Sequence, residues 1–117
     1  MDEKRRDIRI PEENTIILNV LPEGEGAGVK EVFELASLDI SAGGLRVIAK
    51  DSFPADREVS LEFVLKNSQR VIKGKGRIRW AAQSSEADQF EVGIEFIKLK
   101  PEDLAALLDH IYNRPVF

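Results

Sequence analysis

Hydrophobic and polar residues alternate along much of the chain, and this period of two is typical of β-strands that bury one face. In the clearest stretch every second residue is apolar, namely Val59, Leu61, Phe63 and Leu65. Runs of β-branched and apolar residues predict further strands at Thr15–Val20, Lys30–Ile40 and Gly44–Ala49. The apolar face of a last strand consists of Phe90, Val92, Ile94 and Phe96.

A longer alternating segment, Arg70–Ala81, predicts one more strand. Trp80 falls on its apolar side together with Ile78, so we expect Trp80 in the core, with stacking on a ligand as the alternative. Gly74 and Gly76 lie on the same side and indicate close packing or a bend. The opposite side is cationic and consists of Lys73, Lys75, Arg77 and Arg79.

The period changes after the last strand. Leu104, Leu107, Leu108 and Ile111 follow the spacing of one helix face, and Pro101 suits the first helical position. His110 falls outside this stripe, so we expect it on the surface. About six short strands followed by one helix indicate an all-β fold with one helix, either a small antiparallel barrel or a sandwich.

Composition excludes several classes of chemistry. The chain has 117 residues, a net charge of −4, no cysteine and one histidine. Disulfides, thiolate nucleophiles and cysteine-ligated zinc are therefore excluded, and no metal site or enzyme activity is expected. A charged start and the lack of any long apolar stretch predict no signal peptide and no membrane insertion, and we expect a cytoplasmic location.

Two short stretches carry candidate chemistry. The first, Lys4–Arg9, places three arginines ahead of the first strand, where they could contact phosphate or guanine, although a solvated charged tail would look the same. In the second, Asp39–Gly44, a carboxylate and the Ser41 hydroxyl lie two residues apart at a strand end and share a face. Gly43 and the glycine after it permit positive φ and close approach of a ligand, and an ordinary turn is the alternative.

Together these stretches resemble the PilZ domain, because Arg5-Arg6-x-x-Arg9 precedes Asp39-x-Ser41-x-x-Gly44 by about thirty residues. The resemblance implies a six-stranded antiparallel β-barrel of the split-barrel type with a C-terminal α-helix. It also implies a bacterial receptor for cyclic di-GMP that needs no cofactor. The implied ligand-binding residues are Arg5, Arg6, Arg9, Asp39, Ser41, Gly43 and Gly44. Candidate accessory residues are Lys4, which precedes the arginine motif, and Arg77 and Arg79 on the cationic strand face, for which a solvated surface is the alternative.

Within this resemblance we expect three parts: a flexible arginine arm over residues 1–14, a barrel over residues 15–99 and a helix over residues 100–114. The arm is expected to fold over the ligand and to signal to an unidentified protein effector. We expect a monomer or weak dimer, and no binding to nucleic acid. The alternatives are a PilZ-like interaction scaffold that binds no ligand and a nucleic-acid binder that uses the basic strand.

Overall fold

The computed structural model describes residues 8–20, 31–66, 68–85 and 88–112. Their strands and helix are β1 (Ile10–Pro11), β2 (Thr15–Val20), β3 (Glu31–Ile40), β4 (Gly44–Ala49), β5 (Glu58–Val64), β6 (Val71–Gln83), β7 (Phe90–Leu99) and α1 (Pro101–Tyr112). Residues 113 and 114 of the expected helix segment lie outside the described residues.

The strands from β2 to β7 form a closed antiparallel barrel. They pair in the order β3-β2-β5-β6-β7-β4, and β4 pairs back with β3 to complete the ring. The short strand β1 extends along β3, with Ile10 opposite Ile40 and Pro11 opposite Asp39. The predicted six-stranded antiparallel barrel with a C-terminal helix is therefore confirmed, with one short strand added.

The core fills the inside of this barrel. The four alternating side chains of β5 and the residue after it, from Val59 to Leu65, are at most 3% exposed, as the sequence predicts. Gly76 lies where β6 and β7 come close together, since an added Cβ would be 2.9 Å from the Glu95 carbonyl oxygen and 3.1 Å from Leu61. The expectation of close packing at this glycine is confirmed.

The helix packs on the barrel through a more polar face than its leucine stripe predicts. Leu107 and Ile111 are buried, but Leu104 and Leu108 are more than one-third exposed. The prediction that His110 lies on the surface is wrong, because this residue is only 7% exposed. A hydrogen-bonded partner from the segment between β1 and β2 compensates for burying the imidazole, and helix periodicity alone gives no sign of that partner.

The end of the expected arm is attached to the barrel. The backbone N–H of Glu12 donates to the carbonyl of Leu38, and the backbone N–H of Asn14 donates to the Ser37 hydroxyl. Together with the pairing of β1, these bonds hold residues 10–14, the last part of the expected arm, beside β3. Residues 1–7 lie outside the described residues. The helix found in the described residues is too short and too polar to span a bilayer.

Candidate functional site

A buried carboxylate with two arginines marks the outer face of β3. Arg9, which precedes β1, donates from Nη1 to Asp39 Oδ1 at 2.8 Å. Arg46 on β4 lies opposite Asp39 in the strand register and donates from Nε and Nη2 to Oδ2 at 2.8 and 2.6 Å. The Asp39 side chain is 10% exposed, whereas the two guanidinium side chains are 40% and 37% exposed. The carboxylate thus fixes two cations whose side chains stay more than one-third exposed.

Arg46 is the main site residue that the sequence analysis does not identify. Its Nη1 also lies 3.0 Å from Glu91 Oε1, so the guanidinium bridges two carboxylates. The hydrogen bond to Asp39, reinforced by the nearby negative charges, raises the pKa of Arg46. A usable signal was present, because Asp39 and Arg46 lie at equal distances on either side of the Ala42–Gly43 turn, and residues so placed face each other across a hairpin.

Ser41 and the glycines after it form the turn between β3 and β4. The Ser41 hydroxyl is fully buried and accepts from the backbone N–H groups of Gly43 and Gly44, both at 3.2 Å. In this structure the hydroxyl therefore has the turn-forming role that was the alternative to ligand contact.

Gly44 is required for a different reason from the one the sequence suggested. Its φ lies outside the left-handed region, but a Cβ at this position would overlap the backbone carbonyl oxygen of Ile94 on β7. The close approach that excludes a side chain is therefore between two strands of the barrel, not between the turn and a ligand. Gly43 is exposed beside it.

A groove of about 350 Å³ opens next to this cluster. Its walls come from the turn before β4 and the start of β4, from the later half of β6 and the middle of β7, and from the segment before β1. The lining residues are Arg9, Gly43, Gly44, Arg46, Arg79, Trp80, Gly93, Ile94 and Glu95. Arg9 from the arginine stretch and Gly43 from the turn, which are more than thirty positions apart in the sequence, thus meet in one groove.

Trp80 lines this groove, and the prediction that it belongs to the core is wrong, because it is 42% exposed. A β-bulge is the cause. Ile78 pairs with Ile94 but Trp80 pairs with Gly93, which leaves Arg79 as an extra, unpaired residue. The side chains that follow therefore point to the opposite face of the sheet from the one that strict alternation predicts. The indole packs over Gly93, where a Cβ would overlap the ring.

The accessory cations that the structure describes, Arg77 and Arg79, differ in whether they line the groove. Arg79 lines the groove, and its guanidinium lies 3.2 Å from Glu95 and 3.6 Å from Asp56. Arg77 is absent from the groove lining. Lys4, Arg5 and Arg6 lie outside the described residues.

The arrangement has the chemistry of a site for an anion that carries a flat ring. Three arginines line the groove, and their guanidinium groups, each paired with a carboxylate in this structure, carry forked N–H donors of the kind that bind phosphate-like oxygens. A half-exposed indole beside them offers an aromatic face for stacking. Among the residues that the structure describes, no group of three or more histidines or acids is placed to hold a metal ion.

Solved structures with the same fold cover almost all of the chain. The inhibitor of motility MotI/DgrA from Bacillus subtilis superposes with a TM-score of 0.77 at 20% identity, over 95% of this chain and 50% of that one. The chain thus spans about half the length of that protein. The PilZ domain with c-di-GMP of YcgR from Escherichia coli gives a TM-score of 0.65 at 12% identity, over 95% of this chain and 91% of that one.

A third structure, the PilZ domain of CeSA from a cellulose-synthesizing bacterium, gives a TM-score of 0.53 at 16% identity, over 91% of this chain and 96% of that one. No curated protein is similar enough in sequence to count as a match. The model of the PilZ domain matches residues 3–113, a span that includes both the arginine stretch and the Asp39–Gly44 turn. With the barrel, the helix and this match in agreement, the chain belongs to the PilZ domain family.

Proposed function

We propose that this chain is a cyclic di-GMP receptor and that the groove beside Asp39 is its ligand site. The observation that carries the proposal is the convergence of Arg9, Arg46 and Arg79 with the exposed face of Trp80 in one groove. PilZ domains are receptor domains for this dinucleotide, and the neighbouring YcgR domain is described with it bound. The ligand carries two phosphate charges and two guanines, which match the cations and the aromatic face of the groove.

The phosphates are assigned to the arginines. Arg9 uses one terminal nitrogen for Asp39, and its side chain is 40% exposed, so its other donors can bind phosphate oxygens. Arg5 supplies the second motif arginine from the arm, with Arg6 and Lys4 as accessory cations. Arg79 is the accessory cation whose position supports this role best.

The guanines are assigned to Trp80 and Asp39. The indole can stack on a base plane, and a carboxylate accepts hydrogen bonds from guanine N–H groups. Both Asp39 oxygens already accept from arginines. We therefore propose that Arg9 moves from Asp39 to a phosphate when the ligand binds, which frees Oδ1 for the guanine edge. Arg46 stays in place and keeps the carboxylate oriented, while Ser41, Gly43 and Gly44 hold the turn.

The proposed movement of Arg9 from Asp39 to a phosphate would also produce the signal to the effector. Because residues 10–14 are hydrogen-bonded beside β3, the rearranging part of the arm is proposed to be the segment before Ile10. Movement of that segment would change the surface offered to a protein effector in the cytoplasm. The family acts through such effectors.

Titration calorimetry with cyclic di-GMP tests the proposal. Trp80 is the chain's only tryptophan, so its fluorescence reports on the groove in the same samples. We expect Arg9→Ala to weaken binding by about 5- to 150-fold, the effect of losing one hydrogen-bonded charged contact. Lys66→Ala removes the same charge from an exposed residue outside the groove and should leave the affinity unchanged.

GMP and the linear dinucleotide serve as ligand controls, and thermal melts show that each variant is folded. A folded wild-type protein that gives neither heat nor a fluorescence change at about 100 μM ligand would overturn the receptor proposal. That outcome would favour the alternative, a PilZ-like interaction scaffold that binds no ligand. Binding that Arg9→Ala and Lys66→Ala weaken equally would refute the assignment of the groove.

A further inference from the structure

A cluster of four lysines lies where the start of β6 pairs with the end of β7, and none of the four lines the groove. Lys73 and Lys75 are on β6, Lys98 is on β7 and Lys100 follows it, and all four are exposed. We call them the lysine quartet. Lys75 and Trp80 are five residues apart on β6, which corresponds to about 16 Å along a strand. The quartet is therefore a surface separate from the proposed ligand site.

The quartet is electrostatically unfavourable within the molecule itself. Lys75 and Lys98 are direct cross-strand partners, and like charges placed opposite each other destabilise a sheet. Lys73 has Glu62 as its register partner on β5, yet across the described ranges none of the four amino groups forms an ion pair.

Two arginines on the segment from Arg70 to the later half of β6, unlike the lysines of the quartet, do form ion pairs. Arg70 pairs with Asp103 at 3.3 Å, and Arg79 pairs with Glu95 at 3.2 Å. The chain carries 21 acidic residues and a net charge of −4, so acids are available, but they do not pair with the quartet within the described part of the chain. Four cations left together on an acidic protein are suited to a negative charge from another molecule.

An apolar notch lies among the four lysines. Its volume is about 380 Å³, and Gly74, Leu99 and Pro101 line it together with the quartet. Gly74 packs so closely on Leu99 that a Cβ would overlap that side chain. A cationic rim around an apolar floor matches a ligand that carries negative charges on both sides of one hydrophobic side chain.

We propose that the lysine quartet and its notch form a docking site for an acidic segment of a partner protein, anchored by one apolar side chain. A protein segment is favoured over single-stranded nucleic acid because none of the described residues that line the notch is an aromatic residue that could stack on bases. It is favoured over an anionic membrane because the notch is a concave site that accepts a side chain, whereas membrane binding uses protruding apolar groups.

The test uses a synthetic fluorescent peptide of glutamates and aspartates around one central leucine. Fluorescence anisotropy should show salt-sensitive binding to the wild type, and replacing the leucine with serine should weaken it several-fold. The double variant Lys75→Glu with Lys98→Glu should weaken binding by at least about tenfold. The matched control, Lys50→Glu with Lys66→Glu, changes the net charge equally on exposed residues outside the quartet and should bind as the wild type does.

The single variant Lys75→Glu gives a second readout, because it replaces a like-charge cross-strand pair with an opposite-charge pair. It should bind the peptide more weakly while melting at the same or a higher temperature, which separates lost docking from lost folding. Cyclic di-GMP binding should be unchanged in all these variants, so failure of the docking proposal and failure of the receptor proposal are distinguishable.

Three results would overturn the docking proposal. The first is no peptide binding by the wild type at about 100 μM. The second is equal weakening by the quartet variant and its control, which would indicate bulk charge. The third is tighter binding of oligothymidylate or of phosphatidylserine vesicles than of the peptide at the same salt, which would assign the surface to nucleic acid or membrane.

Discussion

The contact between His110 and Glu12 allows a quantitative test of how the helix is held. His110 Nε2 lies 2.9 Å from Glu12 Oε1 and 3.1 Å from Oε2, and the two side chains are only 3% and 6% exposed. Asn14 Nδ2 donates to the same carboxylate at 2.9 Å. The Glu12 carbonyl accepts from the Ser37 hydroxyl at 2.7 Å. This network joins α1 to the segment between β1 and β2.

We expect His110→Ala to lower the free energy of unfolding by about 2–4 kcal/mol. Losing a hydrogen bond to a buried group costs about 1–3 kcal/mol, and leaving a buried carboxylate without one partner costs more. Urea unfolding measures the loss, and with a slope of about 2 kcal/mol per molar the midpoint should fall by about 1–2 M. Leu108→Ala, on the exposed side of the same helix, is the control and should cost less than about 1 kcal/mol.

A double-mutant cycle isolates the pair from the packing of the imidazole. Glu12→Gln keeps the shape of the side chain, and together with His110→Ala it should give an interaction energy of at least about 1 kcal/mol. Additive effects of the two substitutions, or a His110→Ala midpoint within about 0.2 M of the wild type, would refute the reasoning, because the His110–Glu12 contact would then contribute nothing to holding the helix.

Other predictions concern the groove. Gly44→Val should destabilise the fold by about 1–3 kcal/mol in urea unfolding, because its side chain must displace the Ile94 backbone; full stability would contradict the close approach of β4 and β7. Arg46→Met should cost about 1–2 kcal/mol, since Asp39 loses a partner that is itself partly exposed. The Asp39 contact raises the pKa of Arg46, so the contribution of this ion pair to stability is complete at neutral pH and is lost only at strongly alkaline pH. The loss of unfolding free energy in Arg46→Met, measured in urea, should therefore be equal at about pH 6 and about pH 8. A loss that shrinks between these pH values would count against the ion pair as the cause. Gly93→Ala should displace the indole that packs over it, and an unchanged tryptophan emission spectrum would show that the ring does not rest there.

The sequence could predict the features that depend on short-range periodicity. A period of two marks the inward side chains of β5, from Val59 to Leu65, because alternate residues of a strand point to opposite faces wherever the strand lies. The spacing of Leu107 and Ile111 likewise marks the buried face of α1. The two motif stretches could also be recognised, although residues 5 and 6 lie outside the described part of the chain.

The features that depend on pairing between distant segments could not be predicted in this way. The extra residue Arg79 turns the Trp80 side chain to the outer face of the sheet, and only the register of β6 against β7 shows this bulge. His110 can be buried only because Glu12, nearly one hundred residues earlier, meets it. Periodicity thus determined which faces are apolar. The closed barrel decided which polar groups meet, since the cost of burying a polar group depends on partners that arrive from elsewhere in the fold.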